Sequence, residues 1–151
     1  NPIYPFDAAV ARIEAAVADA DALGFAFHLT GRCENFLRGN TDLDDTIRRL
    51  KAYEDAGAKF LMAPGLPDLE AVKTVCSALS KPFNFMVGIP GRSFDVASLQ
   101  ASGVRRISLA TAIYRSAMQA VVDAATEARD QGTFGFVKTG LPSPDLAGFM
   151  K

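Results

Sequence analysis

The sequence predicts an α/β fold in which parallel strands are each followed by a helix. Four short apolar runs alternate along the chain with stretches whose apolar residues recur at helical spacing. Each run ends in polar residues or a turn, which is typical of buried parallel strands that deliver side chains to a ligand-binding edge. Since 151 residues can bury one sizeable core, we expect a single domain over residues 1–151.

The composition narrows the possible partners and the compartment. The net charge of -1 gives no reason to expect nucleic-acid binding. No apolar run reaches the ~18 residues of a membrane span, and no signal peptide is visible. Cys33 and Cys76 have no metal-binding or redox spacing, so we expect two reduced thiols in a cytoplasmic protein. Because the chain starts at Asn1 and not Met, we expect the natural product to begin earlier.

The first segment of the chain predicts a helix, a strand and a long loop. Asp7 is the expected N-cap of the helix, and Gly24 is expected to close it. The apolar run 25–30 is the expected first strand. The loop 31–41 that follows is long for a strand-to-helix connection, which favours a functional role.

The second helix is predicted from a start signal, a buried stripe and a stop signal. Thr41–Asp44 resembles a capping box, with Asp in place of the usual Glu or Gln. Ile47, Leu50 and Tyr53 share one face, and Gly57 is expected to end the helix. The same helix has charged residues that we expect on a solvated face: Arg48, Arg49 and Lys51.

The remaining elements continue the alternation. Three further strands are expected at apolar runs: 60–62, 83–87 and 106–109. Asp68 and Ser93 are the expected N-caps of the two helices between these strands. A long helix is predicted over about residues 111–130, and a last short helix over 145–150.

Four parallel strands leave two architectures open. An open doubly wound sheet is possible at this length. The other possibility is a piece of a (β/α)8 barrel, since a whole barrel needs ~250 residues. No strand is followed by a G-x-G-x-x-G turn, so the sequence does not support a dinucleotide site.

Polar residues at strand ends are the candidate site residues. Arg32 follows the first strand, and its planar guanidinium suits a carboxylate or phosphate; the alternative is a surface arginine or one paired with Glu34. Asn84 lies inside an apolar strand and needs a hydrogen-bond partner, either a ligand or a neighbouring group. His28, the single histidine, is expected in the core, and Ser108 is expected to be packed and hydrogen-bonded.

Six ordered segments resemble the isocitrate lyase/phosphoenolpyruvate mutase superfamily. They are Gly31–Leu37, Asp42–Leu50, Ala52–Ala58, Ala63–Leu66, Pro82–Met86 and Gly103–Leu109. Their order and spacing fit the second half of that family's barrel, and the similarity runs from about residue 8 to about residue 130. The resemblance implies the C-terminal half of a (β/α)8 TIM barrel, with the four strands as strands five to eight.

The resemblance also implies a reaction and roles for particular residues. It implies a Mg²⁺-dependent lyase or mutase that makes or breaks a C–C or C–P bond in a small 2-oxo or dicarboxylic acid, through an enolate-like intermediate. Arg32 would bind the anionic substrate, and Asn84, Pro64 and Gly65 would contact the substrate. Glu34, the other candidate catalytic residue, would orient Arg32 or lie near the water ligands of the metal.

Other parts of the implied site lie outside this sequence. The family's metal-binding acidic residues and lyase cysteine lie in its first half, so we expect the Mg²⁺ ligands there and no metal ligand in this chain. Cys33 is not that cysteine. Pro64 and Gly65 stand where a methylisocitrate lyase is expected to have a glutamate, which argues against that lyase activity.

A half-barrel also predicts association. It exposes two sheet edges and part of a barrel core, which should be covered by the other half or by a second copy. The family exchanges its last helix between subunits, and residues 111–130 suit that role. A homo-oligomer with C-terminal helix exchange is therefore expected, and a non-catalytic assembly module is the second functional hypothesis.

Overall fold

The computed structural model describes residues 3–150 and consists of alternating helices and short strands. The helices are α1 Phe6–Asp21, α2 Leu43–Asp55, α3 Leu69–Ala78, α4 Val96–Ala101, α5 Ala112–Gln131 and α6 Ser143–Gly148. The strands are β1 Thr30–Arg32, β2 Phe60–Met62, β3 Asn84–Met86 and β4 Arg106–Ser108. There are 3₁₀ turns at Asn35–Arg38 and Gly135–Lys138. The chain divides into two compact units, one ending at Ala110 and the other beginning at Thr111.

In the first unit the four strands lie side by side in chain order. β1 pairs in parallel with β2, and β3 pairs in parallel with β4. A parallel bridge between Leu61 and Phe83 joins the two pairs, and the Leu61 N–H donates to the Pro82 carbonyl at 3.0 Å. Consecutive parallel neighbours are the order of a (β/α)8 barrel, whereas a doubly wound sheet reverses its strand order at a switch point.

The core of this unit lies between the strands and the helices that follow them. Leu50 and Tyr53 of α2 are buried as predicted, and they meet buried residues of the strands and of α3 and α4: Leu61, Phe83, Phe85, Val72, Val75 and Leu99. Gly31 allows β1 to approach α2 closely, because a Cβ there would lie 2.9 Å from the Tyr53 Cβ. This packing fixes the position of β1 and of the residue after Gly31.

The first strand begins later than predicted. It starts at Thr30, whereas Phe25 and Phe27 in the apolar run before it are 66% and 49% exposed. The register explains the difference, since Thr30 pairs with Phe60, the first residue of β2. The Leu29 carbonyl still accepts the Phe60 N–H at 3.2 Å, but the paired register covers only residues 30–32.

The expected core position of His28 is also wrong for this unit. Its ring is exposed, and it meets the Phe60 ring edge-on with 5.8 Å between the ring centres. Because the strand starts only at Thr30, His28 lies on the extended segment before it and not inside the sheet.

Three predicted helix starts need correction. α1 begins at Phe6 after Pro5, so Asp7 lies in its first turn and is not its cap. The N-cap of α2 is Asp42, one residue after Thr41, and its carboxylate accepts the Asp45 N–H at 2.9 Å. α6 begins at Ser143, before the predicted Asp145.

The predicted caps of α3 and α4 have different outcomes. Asp68 caps α3 as predicted, accepting the Ala71 N–H at 2.8 Å. The cap of α4 is Asp95 and not Ser93. The Ser93 hydroxyl instead closes the loop after β3, because it accepts the Gly88 N–H and donates to the Ile89 carbonyl.

The second unit is built around α5. No residue of α5 is buried, and the unit exposes many large apolar side chains: Ile113, Tyr114, Met118, Val121, Val122, Phe134, Val137, Leu141, Leu146, Phe149 and Met150. Within residues 3–150, no helix is both long enough and apolar enough to cross a membrane.

Candidate active site

Arg32 is the last residue of β1, and it lies in an ion-pair cluster with two neighbours. Its Nε donates to the Glu34 carboxylate, and its Nη1 lies 3.8 Å from the Met62 sulfur. The other oxygen of Glu34 lies 3.3 Å from the Arg38 Nε. One carboxylate thus faces two guanidinium groups, and the Arg32 side chain is 42% exposed. The uncompensated positive charge favours a small anion at this point.

A cavity of about 180 Å³ lies beside this cluster. Its charged lining consists of Arg32, Glu34, Arg38 and Arg49. Arg49 is paired with Asp45, but Arg32 and Arg38 share the single carboxylate of Glu34, so the lining carries a net positive charge. Because pockets for drug-sized ligands run from ~300 to 1,000 Å³, this volume suits only a small acid.

Arg49 is not on a solvated helix face, which corrects the expectation for it. It is only 9% exposed, its Nε donates to Asp45 at 2.8 Å, and its Nη1 donates to the Tyr4 carbonyl at 3.1 Å. Burial tends to raise the pKa of Asp45, but hydrogen bonds from Arg49, Arg48 and Asn35 outweigh burial and lower it to about 2. The Asp45 carboxylate is therefore ionised at neutral pH.

The turn after β2 packs against the loop that bears Glu34. Pro64 is fully buried, and Gly65 has the left-handed φ of +88°. A Cβ at Gly65 would lie 3.2 Å from Leu37 and 3.4 Å from Phe36, both in the 3₁₀ turn after Glu34. The Gly65 carbonyl accepts a hydrogen bond from Arg92 at 2.8 Å. Both the backbone conformation and the close contact favour glycine here.

Asn84 lies in the second strand pair and has a partner within the sheet. It is 2% exposed, and its amide and the Ser108 hydroxyl are within hydrogen-bonding distance at 3.3 Å. The predicted hydrogen-bonded state of Ser108 is confirmed. Asn84 is not among the residues lining the cavity beside Arg32, so the substrate contact expected of Asn84 stays a prediction.

The two thiols and the side chains of metal-binding type among residues 3–150 are the other groups that a site could use. Cys33 and Cys76 are free thiols. Burial raises the pKa of Cys33, and it raises that of Cys76 to about 11, so both stay protonated at neutral pH. In the part of the chain that the structure describes, no group of three or more His, Cys, Asp or Glu side chains could hold a metal ion.

Sequence reasoning missed the roles of three charged residues, one in the ion-pair cluster of Arg32 and two on α2. Arg38 lies outside any strand end but four residues after Glu34, the spacing at which side chains meet along a helical turn. Asp45 and Arg49 have the same spacing on α2. The i,i+4 spacing could have predicted these ion pairs. It could not have predicted the burial of Arg49, because that burial depends on contacts with α1 and Tyr4.

Comparison with known proteins gives one family. The family model for phosphoenolpyruvate phosphomutase matches residues 1–129. An oxaloacetate decarboxylase of Paraburkholderia xenovorans (strain LB400) is 31% identical over 147 residues, which cover 95% of this chain and 46% of that protein. The segments that carry the resemblance thus belong to a match over most of the chain.

Solved structures give the same fold. A candidate lyase/mutase from Burkholderia cenocepacia J2315 superposes with a TM-score of 0.93 at 47% identity, covering 99% of this chain and 54% of the other. An oxaloacetate acetylhydrolase in complex with the product oxalate superposes with a TM-score of 0.81 at 25% identity, covering 95% and 48%. The chain thus spans about half the length of the relatives it matches, and the prediction of half a (β/α)8 barrel is confirmed.

Proposed function

Because the chain belongs to the phosphoenolpyruvate phosphomutase family, we propose that it supplies the anion-binding half of a lyase or mutase acting on a small 2-oxo or dicarboxylic acid. One observation carries this proposal. Arg32, at the carboxyl end of β1, shares a single carboxylate with Arg38 and faces a small electropositive cavity. Catalytic groups of (β/α)8 barrels lie at that end of the strands.

The favoured substrate class is an oxaloacetate-type oxo acid. Two of the similar proteins are an oxaloacetate decarboxylase and an oxaloacetate acetylhydrolase. In this proposal Arg32 binds a substrate carboxylate through two parallel N–H donors, and Glu34 orients the guanidinium. A phosphonate would fit the same donors, so a phosphonopyruvate-type substrate is the competing choice within the same site.

In this proposal, residues outside this chain bind the Mg²⁺ ion. When bound, Mg²⁺ would polarise the oxo and carboxylate oxygens of the substrate and so favour an enolate. Residues 3–150 do not bring together the acidic side chains for such a site. We therefore assign no step of the ion to this chain, and propose that its ligands come from the rest of the barrel.

The test is the turnover of oxaloacetate by the barrel that contains this chain, measured as loss of oxaloacetate so that decarboxylation and hydrolysis are both detected. A charge-assisted hydrogen bond contributes ~1.5–3 kcal/mol, so Arg32→Ala should lower kcat/KM by ~10- to 150-fold. Arg32→Lys keeps the positive charge but loses the two parallel N–H donors of the guanidinium. Its kcat/KM should therefore lie between those of Arg32→Ala and the wild type. Arg105→Ala is the matched control, since Arg105 is an exposed arginine of the first unit that does not line the cavity beside Arg32. Unchanged kcat/KM in Arg32→Ala would exclude Arg32 from the site.

A second candidate function, an assembly module, is favoured by the second unit. Helix α5 buries none of its residues although Ile113, Val121 and Val122 are apolar and more than half exposed. We propose that a second copy covers this helix by exchange between subunits, in a cytoplasmic homo-oligomer. Light scattering tests this: a mass above 16.1 kDa agrees with it, and a stable monomer contradicts it.

A further inference from the structure

Asn35, which directly follows Glu34, has a side chain held in one orientation inside the protein. It has no exposed surface, and its NH₂ group donates to the Asp45 carboxylate at 2.9 Å and to the Thr46 hydroxyl oxygen at 3.1 Å. Thr46 donates its own proton to the Asp42 carbonyl at 2.8 Å, so toward Asn35 it acts only as an acceptor. Two acceptors therefore require the NH₂ group at this position.

The same orientation leaves the other end of the amide unsatisfied. The Asn35 Oδ1 is buried and finds no hydrogen-bond partner among residues 3–150. A buried carbonyl oxygen without a partner destabilises the folded state. Asn35 thus lowers the stability of the folded state, and it lies next to the loop that carries Glu34. We therefore expect Asn35 to have a role other than stabilising the fold.

The anchored amide fixes the loop from which Glu34 projects. Glu34 is the residue before the 3₁₀ turn, and its carbonyl accepts the Arg38 N–H at 3.1 Å. The Asn40 N–H donates to the Asn35 carbonyl at 3.0 Å and closes the turn at its other end. The hydrogen bond from the Asn35 amide to Asp45 keeps a charged acceptor at neutral pH, because the low pKa of Asp45 keeps its carboxylate ionised.

We propose that Asn35 is a positioning residue, whose buried amide ties the 3₁₀ turn to α2 and thereby aims the Glu34 carboxylate at Arg32. The Arg32 side chain is then already ordered in the orientation that binds an anion. This pre-organisation lowers the conformational-entropy cost of anion binding. The effect on anion binding rests on the proposed function, whereas the aiming of Glu34 at Arg32 does not.

The test observes Arg32 directly, as the NMR signal of its Nε–Hε group in the full 151-residue chain. Loss of the signal in Arg32→Lys assigns it, and Glu34→Gln gives its position when the ion pair is broken. Asn35→Asp places a second carboxylate against Asp45, so the Arg32 signal should move toward the Glu34→Gln position. The exchange Asn35→Asp with Asp45→Asn restores a donor–acceptor pair and should return the signal.

Two further variants separate positioning from general stability. Asn35→Ala removes both hydrogen bonds without adding a charge and should shift the Arg32 signal in the same direction. Asn40→Asp is the matched control, an Asn-to-Asp change in the same loop whose side chain keeps its acceptor for the Asp42 N–H, and it should leave the signal in place. Thermal unfolding of every variant, measured in parallel, reports whether each one is folded.

Each outcome of the NMR experiment either supports or overturns the positioning role of Asn35. An Arg32 signal that stays in place in folded Asn35→Asp and Asn35→Ala would overturn the inference. So would the failure of both variants to fold, since Asn35 would then be needed for the fold itself. Calorimetric titration with oxalate is the separate arm: Asn35→Ala should bind oxalate about tenfold more weakly than the wild type. If the wild type does not bind oxalate but the NMR shifts occur, the proposed function fails and the positioning role stands.

Discussion

Replacing Asp45 by Asn tests the buried polar cluster behind the site through its pH dependence. The side chain of Asp45 is only 16% exposed, and its pKa falls from 3.8 to about 2 through hydrogen bonds that outweigh burial. At 1.36 kcal/mol per pKa unit, this difference corresponds to ~2 kcal/mol of folding stability. Asp45→Asn keeps the shape but removes the charge, so it should lower the free energy of unfolding at pH 7 by about that amount.

The sign of the pH effect follows from the direction of the Asp45 shift. A carboxyl group whose pKa is lower in the folded state stabilises the protein above the unfolded pKa, and the stabilisation is lost as pH falls through the folded pKa. The difference between wild type and Asp45→Asn should therefore shrink between about pH 4 and pH 2, where Asp45 itself becomes protonated.

Urea unfolding followed by circular dichroism at several pH values measures this difference. Asp44→Asn is the matched control, an exposed acidic residue in the same turn of α2, and it should change stability by less than ~1 kcal/mol. A difference between wild type and Asp45→Asn that is the same at pH 7 and pH 2, or that is absent at pH 7, would refute the account of this cluster.

Two further predictions concern the packing that supports β1. Leu50→Ala should lower the free energy of unfolding by ~2–5 kcal/mol in urea denaturation, because Leu50 is fully buried and the site cannot collapse completely; a loss below 1 kcal/mol would contradict its core position. Gly31→Ala should cost ~1–3 kcal/mol, because the new Cβ would lie 2.9 Å from Tyr53. Gly148→Ala, where no atom lies within 4 Å of the added Cβ, should be nearly neutral by the same assay, and an equal loss in both would refute the steric argument.

The alternation of strands and helices was accessible from sequence because apolar periodicity survives into the structure. Leu50 and Tyr53 lie on the buried face that their spacing indicates, and Asp68 caps its helix as expected. The family resemblance supplied what periodicity left open, the choice between a barrel and a doubly wound sheet. The start of β1 was wrong because a strand's limits depend on its partner, and Phe25 has no β2 residue beside it.

The candidate site could be predicted only in part from the sequence, because it too depends on contacts between distant residues. Arg32 follows a strand, so its position at the strand end could be predicted, and the structure shows the pairing with Glu34 that was one of the two alternatives to an anion-binding role. Burial of Arg49 depends on residues distant in sequence, above all the Tyr4 carbonyl. The orientation of Asn35 depends on the acceptor to which the Thr46 hydroxyl donates its proton, and the sequence contains no signal for that.

The central claim is that Arg32 holds the anionic substrate, and calorimetric titration of oxalate into the barrel that contains this chain tests it most directly. The wild type should bind oxalate, and Arg32→Ala should weaken binding by ~10- to 150-fold, the equivalent of ~1.5–3 kcal/mol for a charge-assisted hydrogen bond. Arg105→Ala, at an exposed arginine that does not line the cavity beside Arg32, should leave the dissociation constant unchanged. Equal oxalate affinity in Arg32→Ala and wild type, with both proteins folded, would contradict the account.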